Sequence, residues 1–344
     1  MSSLIVVNSQ FDRVWPWSAD HLHTLWKGQG PVQFVRLQPG DTRSIVELVA
    51  QPESVTRLVT LAVPVSEEEL RAFSGLKEAV IGTNAYSAAC PAELRSYLEH
   101  AQVNVYSHPT EGFWGQSVSE FGLAMTLCGL RRIPQTHREM IASPQVWEYE
   151  PPGGIGQPGL RGHQFGDNPN FTNGTVQGKR IRIVGAGNIA SRYASFVRML
   201  GADVAAWDPF ASEPSFHRAG SRRELHLERL VEDAEIFVPM VPLTETTKGL
   251  IHSKLIRSLP AGCLVVLVTR AGICDMEALR ERVLNDELSL AADVFDVEPL
   301  PLDDPLLGRH NVVHTPHNAG RTIQANHAWA EKLHEQFLPV PVYS

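Results

Sequence analysis

At 344 residues, with 43% hydrophobic and 20% charged side chains, the chain is long for one domain and reads as two soluble globular units. A formal charge of −8 gives no electrostatic reason to expect nucleic acid or an anionic membrane as partner. No apolar run approaches the roughly 20 residues of a membrane span, and the opening MSSLIVVNSQFDR lacks the basic flank and cleavage site of a secretory signal. Four cysteines (Cys90, Cys128, Cys263, Cys274) form no CxxC pair and suit reduced thiols in a cytoplasm. The 14 histidines are scattered without the tight spacing of a zinc site, so no metal is expected.

Along the first 110 residues, SLIVVN (3–8), PVQFVRL (31–37), RLVTLAV (57–63), EAVIGT (78–83) and VNVYS (103–107) read as strands. Helix candidates between them include Glu67–Phe73 and Pro91–His100, an alternation that predicts a parallel sheet wrapped by helices. A long helix is expected from about Ser117 to Met140, with alanine, glycine and cysteine suited to close packing. Residues 143–178 are dense in proline, glycine and asparagine, carry no periodicity, and read as a long loop.

From Lys179 the alternation is cleaner. RIRIVG is followed by a helix over Asn188–Leu200, a stop at Gly201, and the strand DVAAWD. EIFVPMV, CLVVLVT, SLAADVF and NVVHT follow, separated by helical segments such as ERLVEDA and DMEALRERVLN. This is a doubly wound nucleotide-binding unit in sequence form. A last helix, about Ile323 to Phe337, is expected to pack back on the N-terminal part and make the first domain discontinuous.

Gly185-Ala186-Gly187-Asn188-Ile189-Ala190 follows a strand and opens a helix, where a dinucleotide fingerprint belongs. Gly185 permits the tight turn, and Gly187 lets backbone approach a pyrophosphate at the helix N-terminus. Ala190 stands for the third glycine. Asp208, ending the next strand, is placed to accept from a ribose 2′-OH and would repel a 2′-phosphate, which favours NAD over NADP. The bland alternative is a plain strand–helix turn with a surface aspartate.

Arg270, Glu298 and His317 then supply one guanidinium, one carboxylate and one imidazole at the carboxyl ends of successive strands. An arginine fork can clamp a substrate carboxylate. An imidazole can protonate a carbonyl oxygen as hydride arrives, and a carboxylate on its other nitrogen favours the proton-loaded form. Taken singly, each could be a surface cation, a turn residue or a loop histidine. His314, on the strand side of Thr-Pro, is expected to pack.

With these residues in view, the chain resembles the D-isomer-specific 2-hydroxyacid dehydrogenase family, relatives of phosphoglycerate, glyoxylate and formate dehydrogenases. The resemblance spans roughly Ile81 to Arg321 and is carried by VGAGNIA (184–190), WDP (207–209), VPLTETTKGLI (241–251), RAGICDMEAL (270–279), ADVFDVEPLP (292–301) and NVVHTPHNAG (311–320). It implies an α/β protein of two doubly wound parallel-sheet domains: a flavodoxin-like substrate domain (1–115 and 321–344) and a Rossmann NAD-binding domain (116–320) with an insertion at about 148–176. By the same resemblance Arg270 binds substrate, Glu298 is the acidic partner and His317 the acid/base. Gly185, Gly187, Asn188, Ile189, Asp208, Pro242, Thr269 and Asp293 would hold NAD, Asp293 by contact with the nicotinamide carboxamide. Gly82, Thr83 and Asn84 would bind the substrate carboxylate through backbone amides. The helix from Ser117 resembles a dimer arm, which implies a cytoplasmic homodimer with a small 2-keto or 2-hydroxy acid as substrate and neither nucleic acid nor membrane as partner.

Four features depart from the family. Ala271 replaces the glycine after the arginine, which would restrict backbone freedom. Leu267 stands where asparagine is common. TEGFWGQ (110–116) lacks the usual asparagine, and Phe113 and Trp114 are candidates to wall the substrate pocket. The breaker-rich excursion at 150–176 is expected to cover the active site or extend the dimer contact. Two other readings stay open: an NAD(H)-sensing binding protein of this fold, or a dehydrogenase of a phosphonate or sugar acid.

Overall fold

The computed structural model describes residues 2–85, 89–108, 112–147 and 167–337. The chain divides into two compact units, one made of Met1–Trp114 and Arg321–Ser344, the other of Gly115–Gly320.

The first unit is built on β1 (Ser2–Asn8), β2 (Val32–Leu37), β3 (Val55–Leu61), β4 (Glu78–Ile81) and β5 (Asn104–Tyr106). Every pairing is parallel and the order is β2-β1-β3-β4-β5, the flavodoxin-like winding. Alternate β1 residues serve opposite faces, because strand side chains alternate. Leu4 and Val6 join one core cluster with Leu58 and Ile81; Ile5 and Val7 join another with Val59 and Val80. The second cluster is closed by helix Ile323–His334 through Trp329, Ala330 and Leu333. Two helices escaped the sequence reading: α1 (Ser9–Val14), started by Asn8 accepting from Gln10 N at 2.9 Å, and α2 (Ser18–Lys27). They cover the same face with Phe11, Ala19, Leu22 and Trp26. The other face carries α3 (Glu67–Arg71), started by a Ser66/Glu69 capping box, and α4 (Ala92–His100).

The second unit opens with α5 (Gly115–Arg131) and α6 (Ile133–Ala142). The single helix expected over 117–140 is therefore two. Arg132 takes a left-handed φ of 52° at the break. Pro134 accounts for it, since its ring would strike the Leu130 carbonyl if the helix ran on. The small residues of α5 do what their composition suggests. A Cβ on Gly129 would lie 2.9 Å from Leu264 side-chain atoms, and one on Gly122 would crowd Met240 and Tyr193, so the helix seats directly on the sheet.

That sheet contains β6 (Arg180–Val184), β7 (Asp203–Trp207), β8 (Arg222–Arg223), β9 (Ile236–Pro239), β10 (Leu264–Leu267), β11 (Ser289–Ala292) and β12 (Val312–His314). Its order is β12-β11-β10-β9-β6-β7-β8, again all parallel. Winding proceeds outward from β6 in one direction and from β9 in the other, so the topological switch point lies between them. Helices α7 (Asn188–Met199), α8 (Glu213–Ala219), α9 (Leu227–Glu232), α10 (Ser253–Ser258) and α11 (Met276–Leu284) link the strands. Of the breaker-rich segment, 148–166 lie outside the described residues. Its last part is pinned down: Thr172 N donates to Gly262 O at 2.8 Å and Gly174 N to Leu130 O at 3.3 Å. Among the described residues, no helix is long and apolar enough to cross a membrane.

Candidate active site at the carboxyl edge of the seven-stranded sheet

Gly185 directly follows β6 at the switch point, with φ +112°. A Cβ there would sit 2.8 Å from the carbonyl of Met240, the residue after β9, so only glycine lets the two segments converge. Gly187 is the N-cap of α7 and brings no side-chain acceptor to its first turn. A Cβ built on Gly187 meets nothing within 4 Å. Approachable backbone at a helix N-terminus is what a pyrophosphate requires. Asn188 and Ile189 follow as the first residues of α7.

Asp208 sits just beyond β7 and holds the turn together. Its Oδ2 accepts from Ala186 N at 2.8 Å, inside the glycine turn, and its Oδ1 accepts from Phe210 N and Ala211 N at 2.9 and 3.0 Å. One carboxylate thus fixes both the glycine turn and the segment after β7. Phe210, presented by that segment, is 90% exposed, and nothing in the sequence pattern marked it.

Pro242 lies in an exposed loop braced from within, where Thr247 Oγ1 donates to Pro242 O at 2.5 Å and Thr244 N donates to Thr247 Oγ1 at 2.8 Å. After β10, Thr269 is buried and donates to Pro239 O at 3.2 Å, and Arg270 Nη1 donates to Thr269 O at 2.7 Å. Ala271 begins a 3-10 turn, Ala271–Ile273, and is not among the residues with positive φ. The restriction expected from losing glycine there does not arise. Leu267 is fully buried in the core, where an amide would need a partner.

The three chemical residues come together in part. His317 Nδ1 and Glu298 Oε2 are 2.7 Å apart, with about a third of each side chain exposed. Glu298 Oε1 accepts from Phe295 N at 2.9 Å, a bond within its own turn that fixes the carboxylate plane. Burial pushes the Glu298 carboxyl up, but the His317 hydrogen bond, the Phe295 N–H and the charges of His317 and Arg270 together outweigh it and hold the group below its ordinary 4.5. His317 has φ +54°, a left-handed conformation that histidine adopts more readily than most residues. Asp293, just past β11, is fully buried and accepts from Thr315 Oγ1 at 2.6 Å, Asn318 N at 3.0 Å and Ala319 N at 2.9 Å. Sequence reasoning singled out Asp293 but missed these partners. His314, expected to pack, is exposed at the end of the edge strand β12.

In the first unit, Gly82 N donates to Thr60 O at 2.9 Å and its carbonyl accepts from Val63 N at 3.1 Å, so its backbone is committed to the sheet. Thr83 and Asn84 follow in a turn with more exposure. Trp114 stacks on Trp15, centroids 4.6 Å apart and planes within 3°, and Phe113 lies 4.9 Å from the His108 ring. Both belong to the aromatic cluster around Trp329.

A sequence profile of the D-isomer specific 2-hydroxyacid dehydrogenases, NAD binding domain, matches residues 123–319, more than half of the chain. The chain belongs to this family. The matched segment is the NAD-binding domain, and the glycine turn, Asp208 and the α7 N-terminus fit that cofactor. Glyoxylate reductase of Thermofilum pendens is 30% identical over 250 residues, covering 70% of this chain and 67% of that protein. D-3-phosphoglycerate dehydrogenase of Bacillus subtilis is 34% identical over 169 residues, 49% of this chain. The chain spans about a third of the length of that relative and of the Archaeoglobus fulgidus enzyme of the same name. A phosphoglycerate oxidoreductase from Rhizobium etli shares the fold at TM-score 0.71 and 18% identity, covering 98% of this chain and 96% of that one. An NAD-complexed family member from Lactobacillus delbrueckii ssp. bulgaricus does so at 0.67 and 18%, covering 97% and 96%.

Proposed function

We propose that this chain is an NAD(H)-dependent oxidoreductase that interconverts a 2-keto acid and a D-2-hydroxy acid. The observation that carries the reading is the 2.7 Å His317–Glu298 pair. With Nδ1 held by the carboxylate, Nε2 is the ring atom left to pass a proton. Arg270, on the next strand end, supplies the fork for the substrate carboxylate and for the negative charge growing on the carbonyl oxygen. The glycine turn and Asp208 would hold NAD(H), which when bound would supply the hydride. His317 gives its proton to the forming alkoxide as the keto carbon is reduced, and takes it back in the reverse direction.

The choice of keto acid is assigned to Thr83 and Asn84; Gly82, whose amide is bound to Thr60 O, and the stacked Trp114 have the weaker claims. A sensor that only binds NAD(H) has no use for an oriented proton donor, which favours chemistry over sensing. The apolar side chains exposed along α5, α6 and the turn after them (Leu127, Ile133, Met140, Ile141, Trp147) support a homodimer. Four free cysteines, three of them buried, support a reducing compartment such as the cytoplasm.

The test is NADH oxidation against glyoxylate, hydroxypyruvate, pyruvate, 2-ketoisocaproate, phenylpyruvate and phosphonopyruvate, repeated with His317→Asn. Turnover of at least one keto acid by the wild type, lost in the variant, is the expected result. Tight NADH binding with no turnover on any of them would return the sensor reading to the front.

A further inference from the structure

Resting on the function just proposed, we infer that Asp293 is a positioning residue, whose carboxylate clamps the turn 315–319 and thereby sets the orientation of His317. Strands β11 and β12 run in parallel register, and Thr315 N donates to Ala292 O at 3.1 Å, so the turn leaves the sheet beside Asp293. The Asp293 backbone is itself anchored, with its N–H donating to Leu267 O at 2.9 Å. From that fixed point the carboxylate takes three hydrogen bonds from one short turn. Thr315 Oγ1 and Asn318 N share Oδ1, and Ala319 N takes Oδ2. The contacts bracket His317 on both sides.

His317 needs such bracketing. Its φ of +54° is a sparsely populated conformation for a residue with a side chain, and it persists only where neighbours determine it. Among the described contacts of His317 itself, the Glu298 bond fixes the ring; the backbone is fixed by the groups on Asp293. An ionised carboxylate has about four lone-pair sites, and three are engaged within the turn. The group reaches none of the reacting atoms through those bonds. It acts on His317 through Thr315, Asn318 and Ala319.

The expectation that Asp293 serves chiefly by touching the nicotinamide carboxamide makes a different prediction from the clamp. Loss of a cofactor contact weakens NADH binding. Loss of a clamp leaves NADH in place and misdirects the proton donor, and a misplacement of about 1 Å costs on the order of a hundredfold in rate.

The experiment uses the full-length protein with Asp293→Asn and Thr315→Val, the second removing one bond from the surface of the turn in case the buried amide impairs folding. Hydrogen exchange over 315–319 is read by mass spectrometry, NADH affinity by fluorescence titration, and kcat, KM and the solvent isotope effect by steady-state kinetics. With Asp293→Asn, exchange at Asn318 and Ala319 is expected to accelerate about tenfold or more, as local opening becomes easier. Turnover at saturating NADH should fall about a hundredfold, the solvent isotope effect should rise, and the Kd for NADH should stay within about threefold, the change an indirect effect allows. Thr315→Val should move the same quantities less far. Unchanged exchange in both variants overturns the clamp. Preserved kcat with a weakened NADH Kd overturns it in favour of the carboxamide contact. Should the wild type reduce no keto acid, the proposed function falls on that result alone, and exchange over 315–319 still decides whether Asp293 holds the turn.

Discussion

Arg57–Glu78 in the first unit and Glu298–His317 in the second are both short pairs between a cationic group and a carboxylate, at 2.8 and 2.7 Å. Their surroundings differ. Arg57 and Glu78 are 3% and 8% exposed; Tyr106 donates to Glu78 Oε1 at 2.9 Å, and Arg57 lies over the rings of Trp26 and Phe337. Glu298 and His317 keep about a third of their surface in solvent, on turns rather than strands. A buried pair contributes mostly through the harm done when one member is lost, whereas an exposed pair contributes little to stability and remains free to exchange protons. The first organises a core. The second is suited to chemistry.

The contrast can be broken most forcefully from the catalytic side. His317→Asn, chosen because asparagine tolerates positive φ, is expected to lower turnover by about 10²–10⁴-fold while leaving the melting temperature nearly unchanged. A large loss of melting temperature would show that the exposed pair is structural after all. From the other side, Arg57→Met removes the cationic partner of a buried carboxylate and should cost about 3–5 kcal/mol in denaturant unfolding, with the NADH Kd of folded protein unaltered. The double change Arg57→Met/Glu78→Gln, which keeps an acceptor for Tyr106, should recover part of that loss. If the double variant is no better than the single one, the penalty is not an unpaired charge.

Arg270→Lys comes next in size. Loss of the planar fork should raise KM for the keto acid about tenfold or more, since hydrogen bonds to charged groups contribute about 1.5–3 kcal/mol. An unchanged KM would move the carboxylate clamp elsewhere. The smallest effect concerns pH and stability. Because the folded-state pKa of Glu298 lies below its ordinary 4.5, the group stabilises the fold above that value, and the contribution disappears as pH falls through the folded pKa. Glu298→Gln should therefore flatten, slightly, the fall in melting temperature between about pH 5 and about pH 3. Solvent exposure keeps the change small, and a steep difference would contradict the view of this pair as an exposed one.

Most strands were legible because buried parallel strands are continuous apolar runs bounded by breakers, as in LVVL of β10 and SLAA of β11. Asp208, Arg270, Glu298 and His317 could be singled out because each lies in the segment that follows a strand, where such folds bind ligands, and each residue type has a narrow chemical use. Helix α1 was not, since the six residues SQFDRV are too few to show a period and are stabilised by the tertiary cluster around Trp329, whereas α2 could have been read from Ala19, Leu22 and Trp26 at helical spacing. The break at Arg132 could have been read from Pro134. The partners of Asp293 could not, because backbone N–H groups have no signature in sequence and only the path of the turn decides which carboxylate they meet. Trp114 shows the same limit: its loop position suggested a pocket wall, and the structure stacks it on Trp15.

That stack has an optical consequence. Two indoles with centroids 4.6 Å apart and planes 3° from parallel are close enough to couple their transitions, so the pair should contribute an exciton couplet to the circular dichroism of the native protein. Trp114 is the last residue before the chain leaves the first unit, and Trp15 lies in that unit's core. The couplet is thus a built-in spectroscopic gauge of whether that exit point remains tied down, readable in the wild type without a label.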